Sequence, residues 1–258
     1  MEQLLIVLSN SAEGRDDEFN EWYSWVHVRD VMRLSPGAIA VQRFALTPEQ
    51  LPGAPPGHRY LAIYEADAHA GFSIGHADVF TEIMPISETF RFDDFRDAYY
   101  RPIAALAWQT DRTGASDAIV ERLPAQPDDA FARWYAAQRF PALMRLPGVT
   151  EGVFSEAAAE QMLPVPEDAA YMAVYRTTDR QATLCAWAAL EREAPPPWEA
   201  DRAWRGCYAP VMGRLTAAAA RHPSEAEAAR AGRARAALGR RVYRGFPAGV
   251  ADNFVRPG

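Results

Sequence analysis

The stretch DEFNEWYSWVHVRDVMRLSPG, residues 17–37, recurs later in the chain as DAFARWYAAQRFPALMRLPG, residues 129–148. A repeat is the first feature to look for, because missing one misassigns the whole fold. The identities keep one constant offset until Ser35, an extra residue in the first copy, after which Pro-Gly matches Pro-Gly. The residues matched before the insertion are Asp17, Phe19, Trp22, Tyr23, Met32, Arg33 and Leu34 with Asp129, Phe131, Trp134, Tyr135, Met144, Arg145 and Leu146.

Two more blocks recur in the same order. RYLAIYEAD, residues 59–67, parallels AYMAVYRTTD, residues 170–179. YRPI, residues 100–103, parallels YAPV, residues 208–211. Three matched blocks in one order predict that the chain holds two copies of a single unit.

We place the two copies at residues 1–110 and 116–215. Each has a short apolar run, a long amphipathic helix ended by Pro-Gly, two strands, a second helix and a last strand that ends at the Tyr-x-Pro motif. The order β-α-β-β-α-β is that of a ferredoxin-like unit, whose antiparallel sheet carries helices on one face. Two such units can bury their bare faces against each other. We therefore predict an α+β fold in which two ferredoxin-like repeats form an intrachain pseudo-dimeric α+β barrel.

Residues 216–258 lie outside the repeat and predict a helical C-terminal extension with an irregular tail. Ser224 and Glu227 form a capping-box pattern, and Gly239 suits the end of the helix. The simpler interpretation is a helix packed on the barrel of its own chain. The alternative is a swapped arm that contacts a second chain. Whether the barrel pairs again as a homodimer stays open.

The composition narrows the function classes. The chain has 258 residues, 49% of them hydrophobic, which is enough for a sizeable core. Its net charge of −7 argues against a nucleic-acid partner, because phosphate binding needs a basic face. No apolar run reaches the length of a membrane span, and the N-terminus lacks the basic lead-in of a signal peptide, so we expect a cytoplasmic protein. Cys185 and Cys207 form no metal or redox motif.

His27 is the candidate functional residue of the first block. It lies on the apolar stripe of the predicted helix, one turn after Tyr23 and three residues before Asp30. A polar ring on such a stripe must find a hydrogen-bond partner or line a cavity. The second copy has Arg139 at the matching position, so packing alone does not require an imidazole. A buried structural His and a catalytic His that transfers protons near neutral pH both fit this position.

The same segment resembles the first-helix signature of EthD-like proteins in the dimeric α+β barrel superfamily. The family pattern often has an acidic residue just before the His, where this chain has Val26. The resemblance implies a pocket between the sheet and the two helices of each unit, with the His pointing into it. Because the second copy lacks the His, we expect one His-bearing pocket in the N-terminal half and a degenerate one in the C-terminal half. The residues that carry the resemblance are Trp22, Tyr23, His27, Asp30, Pro36 and Gly37.

Further side chains complete the predicted site. Tyr60 and Tyr64 share one face of a strand, where a hydroxyl could donate to a developing oxyanion. Arg43 alternates with apolar residues in the preceding strand and could hold a substrate carboxylate. Aromatic core packing and a salt bridge at the barrel rim are the structural alternatives. The predicted substrate-binding set is Trp22, Trp25, Arg43, Tyr60 and, from the predicted second helix, His76.

The leading hypothesis is a cofactor-independent acid–base enzyme of the lyase, isomerase or decarboxylase type, acting on a small aromatic or polyketide-like substrate. His27 would move the proton and Asp30 would orient the imidazole. Tyr23 or Tyr64 would stabilise the developing negative charge. The superfamily hosts many chemistries, so a cofactorless monooxygenase and a non-catalytic small-molecule-binding or stress-response barrel are the alternatives.

Several other chemistries lack their motifs. The sequence has no Gly-rich phosphate loop, no Gly-x-Ser-x-Gly nucleophile motif and no His-Glu-x-x-His zinc motif. His27 and Asp30 supply at most two metal ligands, whereas a catalytic zinc normally needs three. We therefore expect neither a metal nor a cofactor, with haem ligated by His27, which the superfamily suggests, as a minor alternative.

Overall fold

The structure is a computed structural model that describes residues 2–52, 57–67, 80–108, 116–124, 130–161, 163–165, 167–194 and 204–247. Its strands close into one barrel in the order β1-β3-β2-β8-β5-β7-β6-β4, and every neighbouring pair is antiparallel. The strands are β1 (Gln3–Ser11), β2 (Ala38–Leu46), β3 (Tyr60–Ala66), β4 (Phe90–Leu106), β5 (Asp117–Leu123), β6 (Val149–Ala157), β7 (Tyr171–Thr177) and β8 (Trp204–Thr216).

Side-chain alternation along the strands separates the inside of the barrel from the side that the helices cover. In β1, Leu4, Ile6 and Leu8 belong to the inner core, while Leu5 and Val7 pack with the first helix. Both halves of the chain contribute to the inner core, which confirms the predicted closed α+β barrel with outer helices. Its buried residues include Phe44, Leu61, Ile63, Tyr100, Val120, Val153, Val174 and Tyr208.

The two halves contribute four strands each, in the same order. That order is β4-β1-β3-β2 in the first half and β8-β5-β7-β6 in the second, which is the strand order of a ferredoxin-like sheet. The halves join where β2 pairs with β8 and where β4 pairs with β6. At both joints, the strand that follows the long first helix meets the last strand of the other half.

The prediction that the last strand of each copy ends at Tyr-x-Pro is wrong. β4 continues past Pro102, and β8 continues past Pro210. The pairing register shifts beside both prolines, and a bulge is where a sheet tolerates a residue without an N–H. The continued ends are the segments that pair with β6 and β2, so they close the barrel.

The long first helix of each half is interrupted by a π-helical turn, whereas the sequence predicted a regular helix. The first π turn is Tyr23–His27 and the second is Tyr135–Arg139. A π turn is frequent at functional sites, but this one recurs in both halves and so does not mark a site by itself. The α-helices are α1 (Asp16–Trp22), α2 (Val28–Leu34), α3 (Ala130–Trp134), α4 (Phe140–Met144), α5 (Arg180–Glu193), α6 (Ala217–Arg221) and α7 (Glu225–Leu238).

The second predicted helix is present in the second half as α5. Its N-cap is Asp179, whose carboxylate accepts the N–H of Ala182 at 3.0 Å. In the first half most of the corresponding segment, including His76, lies outside the described residues. The described part, residues 80–84, forms turns and an isolated bridge rather than a helix.

α7 confirms the predicted C-terminal helix. Ser224 and Glu227 form the reciprocal capping box, and the helix ends at Gly239 with φ of 53°. The helix packs against α1 and the first π turn of its own chain. In the parts of the chain that the structure describes, no helix is both long enough and apolar enough to cross a membrane.

Candidate active site

The candidate site lies between the first-half sheet and the helix above it. One row of paired residues crosses the four strands, in the order Arg43, Ala62, Val7 and Asp97. Neighbouring strands are ~4.8 Å apart, so the Cα atoms of Arg43 and Asp97 are separated by roughly 14 Å. Ala62 and Val7, which lie between the two charged residues, are buried and pack in the core beneath the helix.

A second row places two tyrosines beside the first. Tyr64, Leu5 and Tyr99 are paired across β3, β1 and β4. The hydroxyl of Tyr64 lies near that of Tyr23 on the first π turn, close enough for each to shift the pKa of the other. Burial raises the pKa of both tyrosines above the usual value, so both hydroxyls stay protonated at neutral pH.

His27 ends the first π turn and packs between aromatic rings. Its ring centroid is 5.1 Å from that of Trp22 and 4.8 Å from that of Tyr23. Nδ1 is shielded from solvent and has no hydrogen-bond partner among the described residues. Desolvation, together with the positive charge of Arg43, lowers the pKa of His27 to about 3, so the imidazole is neutral at pH 7.

Arg43 places a buried positive charge behind Tyr23. Its guanidinium donates to Ser24 Oγ at 2.6 Å and to Asn20 Oδ1 at 3.0 Å, and its Cζ lies 4.2 Å from the centre of the Tyr23 ring. No carboxylate pairs with it in the described parts of the chain. Burial lowers the pKa of Arg43 to about 10, which still leaves it charged at pH 7. The site therefore holds a cation whose charge is not neutralised by a neighbouring acid.

Asp97 is the acid of this site, and the sequence analysis did not single it out. The residue is 8% exposed, and Oδ1 has no hydrogen-bond partner among the described residues. Burial raises the pKa of Asp97 to about 7, and its charge in turn raises the pKa of Tyr23 and Tyr99. A signal was present in the repeat, because Asp97 matches Arg205 just as His27 matches Arg139.

The predicted pairing of Asp30 with His27 does not form. Arg235 of α7 donates to both carboxylate oxygens of Asp30 at 2.6 Å, and Arg33 donates to Oδ1 at 3.2 Å. A guanidinium that binds both oxygens offers charge-assisted hydrogen bonds, which a neutral imidazole cannot match. Asp30 therefore faces the C-terminal helix and does not orient His27.

Trp22, Tyr60 and Trp25, three other predicted binding residues, lie in three different places. Trp22 packs on His27 and donates its indole N–H to the carbonyl of Pro85 at 3.0 Å. Tyr60 is at the rim, where its hydroxyl donates to Asp16 Oδ1 at 2.7 Å. Trp25 faces away from His27, with the guanidinium groups of Arg29 and Arg230 packed on its indole.

The second half fills the matching space with paired charges. The Tyr135 hydroxyl lies 2.8 Å from that of Tyr175 and donates to Glu121. The remaining pairs join Glu121 to Arg205 at 2.9 Å, Arg205 to Glu191 at 2.9 Å and Arg139 to Glu191 at 2.9 Å. The tyrosine pair is thus common to both halves, whereas an acid and an imidazole outside any ion pair, those of Asp97 and His27, belong to the first half among the described residues.

This arrangement suits proton transfer next to a stabilised anion. A carboxyl with a pKa of about 7 is ionised in part at neutral pH and can accept a proton, while Arg43 and the hydroxyl pair favour negative charge nearby. Among the described residues, no three His, Cys, Asp or Glu side chains are grouped as a metal site would require.

The comparisons with known proteins show a similarity of fold alone. No family model matches the chain, and no curated protein sequence is significantly similar to it. An anthrone oxidase-like protein of known structure has a TM-score of 0.53 at 13% identity, over 83% of this chain and 92% of that chain. A candidate monooxygenase from Fusobacterium nucleatum has a TM-score of 0.49 at 8% identity, over 83% of this chain and 96% of that one. A candidate monooxygenase from Lactobacillus acidophilus has a TM-score of 0.49 at 9% identity, over 84% of this chain and 99% of that one.

Proposed function

We propose that the cluster beneath the first helix is an active site that removes a proton from a small aromatic or polyketide-like substrate without a cofactor. The observation that supports the proposal is the contrast between the two halves. The matching residues of the second half, Arg139 and Arg205, form ion pairs, whereas Asp97 and His27 form none among the described residues. In addition, Oδ1 of Asp97 and Nδ1 of His27 are buried without a hydrogen-bond partner there. Such atoms lower stability, so a ligand that satisfies them is the simplest reason for their presence.

The residues divide the work as follows. Asp97 accepts the proton, because its pKa of about 7 matches a base that works near neutral pH. The substrate becomes a delocalised anion, which the hydroxyl pair of Tyr23 and Tyr64 and the positive charge of Arg43 stabilise. His27, neutral at this pH, hydrogen-bonds a polar group of the substrate through Nδ1. The base assigned from the sequence thus moves from His27 to Asp97, and His27 becomes a binding residue.

We also infer that the chain is a tandem duplication, with the site kept in residues 1–110 and degenerate in residues 116–215. Three matched sequence blocks, the same strand order in each half and a π turn in each first helix support this history. The EthD-like signature of the first helix is part of the same proposal. A fused barrel needs only one working site, so the other is free to exchange its acid and imidazole for ion pairs.

The test uses a panel of small phenols and anthrones, with substrate loss followed by absorbance or mass spectrometry. Asp97→Asn should lower kcat/KM by about 10²–10⁴-fold, the usual effect of losing a general base. His27→Ala should raise KM more than it lowers kcat, because the substrate loses a binding partner. In the wild type, kcat/KM should rise with pH through about 7, where the Asp97 carboxyl ionises.

Two exposed residues provide matched controls. Asp93→Asn lies on the same strand as Asp97, and His222→Ala removes an imidazole at the surface. Both should retain wild-type rates. If Asp97→Asn and His27→Ala both turn over substrate at the wild-type rate while the wild type is active, the site is elsewhere and the proposal fails.

A cofactorless monooxygenase is the second candidate. The name of the anthrone oxidase-like protein favours it, because an anion formed by proton removal can react directly with O₂. An oxygen electrode separates the two outcomes, since only the monooxygenase consumes O₂ in step with substrate. A Soret absorbance band in the purified protein would instead indicate haem and contradict the cofactor-independent scheme.

A further inference from the structure

A groove with a volume of about 600 Å³ lies between the first π turn, the end of β8 and α7. Its described lining includes neither His27 nor Asp97, so it is separate from the candidate active site. The volume is within the range of small-molecule pockets, which is roughly 300–1,000 Å³. Three apolar residues of β8, Val211, Met212 and Leu215, contribute to one wall.

Two arginines in the lining, Arg214 and Arg29, have N–H groups without an acceptor among the described residues. The side chain of Arg214 is 5% exposed and that of Arg29 is 13% exposed. Each uses one nitrogen on a carboxylate, Arg214 on Glu65 at 2.9 Å and Arg29 on Glu227 at 3.1 Å. Arg214 Nε, Arg29 Nε and Arg29 Nη1 are buried and have no acceptor among the described residues. A buried donor without an acceptor lowers the stability of the folded protein.

The fold itself does not require these polar residues. In the second half, four positions that match the groove side of the first helix carry small or apolar residues, and residues 103–106 at the corresponding end of β4 include no charge. Asp17 and Glu21 instead match the charged Asp129 and Arg133. The four positions are Asn20, Ser24, Trp25 and Arg29, matched by Ala132, Ala136, Ala137 and Pro141.

We propose that this groove binds an amphipathic organic monocarboxylate. Guanidinium donors prefer the oxygens of a carboxylate, and the apolar wall of β8 suits a hydrocarbon or aromatic body. Asp17, Glu21 and Glu227 also line the groove, the last two as partners of Arg230 and Arg29, and these acids would repel a second negative group. The site therefore selects one carboxylate with an apolar body over a neutral analogue or a dicarboxylate.

The groove also borders two residues that accept hydrogen bonds from Arg43. Asn20 and Ser24 line it, and both accept hydrogen bonds from the Arg43 guanidinium. A ligand in the groove would thus lie against two residues that hydrogen-bond Arg43.

Isothermal titration calorimetry with 2-naphthoate tests the proposal, alongside 2-naphthylmethanol as the neutral analogue and naphthalene-2,6-dicarboxylate as the diacid. We expect 2-naphthoate to bind at least about tenfold more tightly than either, since charge-assisted hydrogen bonds are the strong ones. Arg29→Gln should weaken its binding by a similar factor.

A second variant fills the groove without removing an ion pair. A Cβ at Gly213 would meet no atom within 4 Å, so Gly213→Leu extends into open space at the groove. It should abolish 2-naphthoate binding. Gly232→Leu is the matched control, because a Cβ there also meets nothing and the residue is exposed on α7. It should bind as the wild type does.

Three results would overturn the proposal. The first is no binding of 2-naphthoate at millimolar concentration. The second is equal affinity for the neutral analogue. The third is binding that survives Gly213→Leu but is lost in His27→Ala, which would place the ligand in the candidate active site instead.

Discussion

At the scale of single residues, Asp97 and His27 have opposite effects on how stability depends on pH. The folded-state pKa of Asp97 is raised from 3.8 to about 7, so its contribution is fully present below the unfolded value and is lost as pH rises through about 7. The pKa of His27 is lowered from 6.5 to about 3, so its contribution is present above 6.5 and is lost as pH falls towards 3. Near neutral pH, therefore, ionisation of Asp97 lowers the stability of the folded protein, whereas the neutral His27 does not.

Asp97→Asn isolates the first effect. Asparagine cannot ionise, so the variant should gain stability over the wild type at about pH 8 relative to about pH 5, by on the order of 2 kcal/mol at about 1.4 kcal/mol per pKa unit. Urea unfolding at the two pH values measures the difference. Asp93→Asn, exposed on the same strand, should show no such change. A difference that is the same at both pH values would mean that Asp97 is ionised normally.

The residues of the site were predictable to different degrees. Tyr23, Tyr64 and Arg43 follow from strand and helix spacing, and His27 was singled out because the second copy replaces it. Asp97 was missed because its strand holds several acids, and only the register across four strands shows which one faces the helix. The predicted role of Asp30 failed because its partner, Arg235, is distant in sequence and belongs to a segment outside the repeat.

At the scale of elements, α7 is held on the first helix by ion pairs rather than by a wide apolar face. Arg235 binds Asp30, whose side chain is 4% exposed, while Arg230 of α7 and Arg241 just after it bind exposed acids of α1. Exposed pairs contribute ~0–1 kcal/mol each, so the Arg235 pair, together with the part-buried pair of Arg29 and Glu227, should dominate the docking of α7.

Arg235→Gln should therefore destabilise the protein by about 1–2 kcal/mol, because it leaves Asp30 buried with only Arg33 beside it. The value is below that of a fully buried pair since the Arg235 side chain is 38% exposed. Thermal or urea unfolding gives the magnitude, and Arg241→Gln, which breaks an exposed pair, is the control. Equal effects of the two variants would show that burial of Asp30 does not matter.

The helices also show where local spacing stops being informative. The apolar stripe predicted the first helix and its buried face, and the capping box predicted the start of α7. The π turn was not predictable from the 3.6-residue pattern, because one extra residue per turn changes which side chains share a face only after the turn.

At the scale of the whole molecule, the repeat predicted the barrel better than any single element did. Matching blocks implied two sheets of the same order, and burial of their bare faces required closure. The strand ends were misplaced because Tyr-x-Pro looks like a stop, whereas the sheet accommodates each proline at a register shift and continues into the joint.

The shared interior implies that the two halves unfold together. Phe44 of β2 is fully buried, packs in the inner core with residues of β5 and β7, and has the Arg176 guanidinium 4.5 Å from its ring centre. Phe44→Ala should destabilise the protein by about 3–5 kcal/mol, the usual effect of such a truncation. Because the lost contacts belong to both halves, unfolding should remain one transition in urea.

Hydrogen exchange locates the effect within the molecule. Peptides from β1 and from β5 should lose protection together in Phe44→Ala, since both strands border the same core. Ile103→Ala, which truncates a residue that is 39% exposed, should leave both protected. Loss of protection confined to the first half, or two separate urea transitions, would mean that each half is stable alone and that the barrel is an assembly of two independent domains. Loss in both halves would instead show that closure of the barrel, and so the support beneath the His27 helix, depends on the second half.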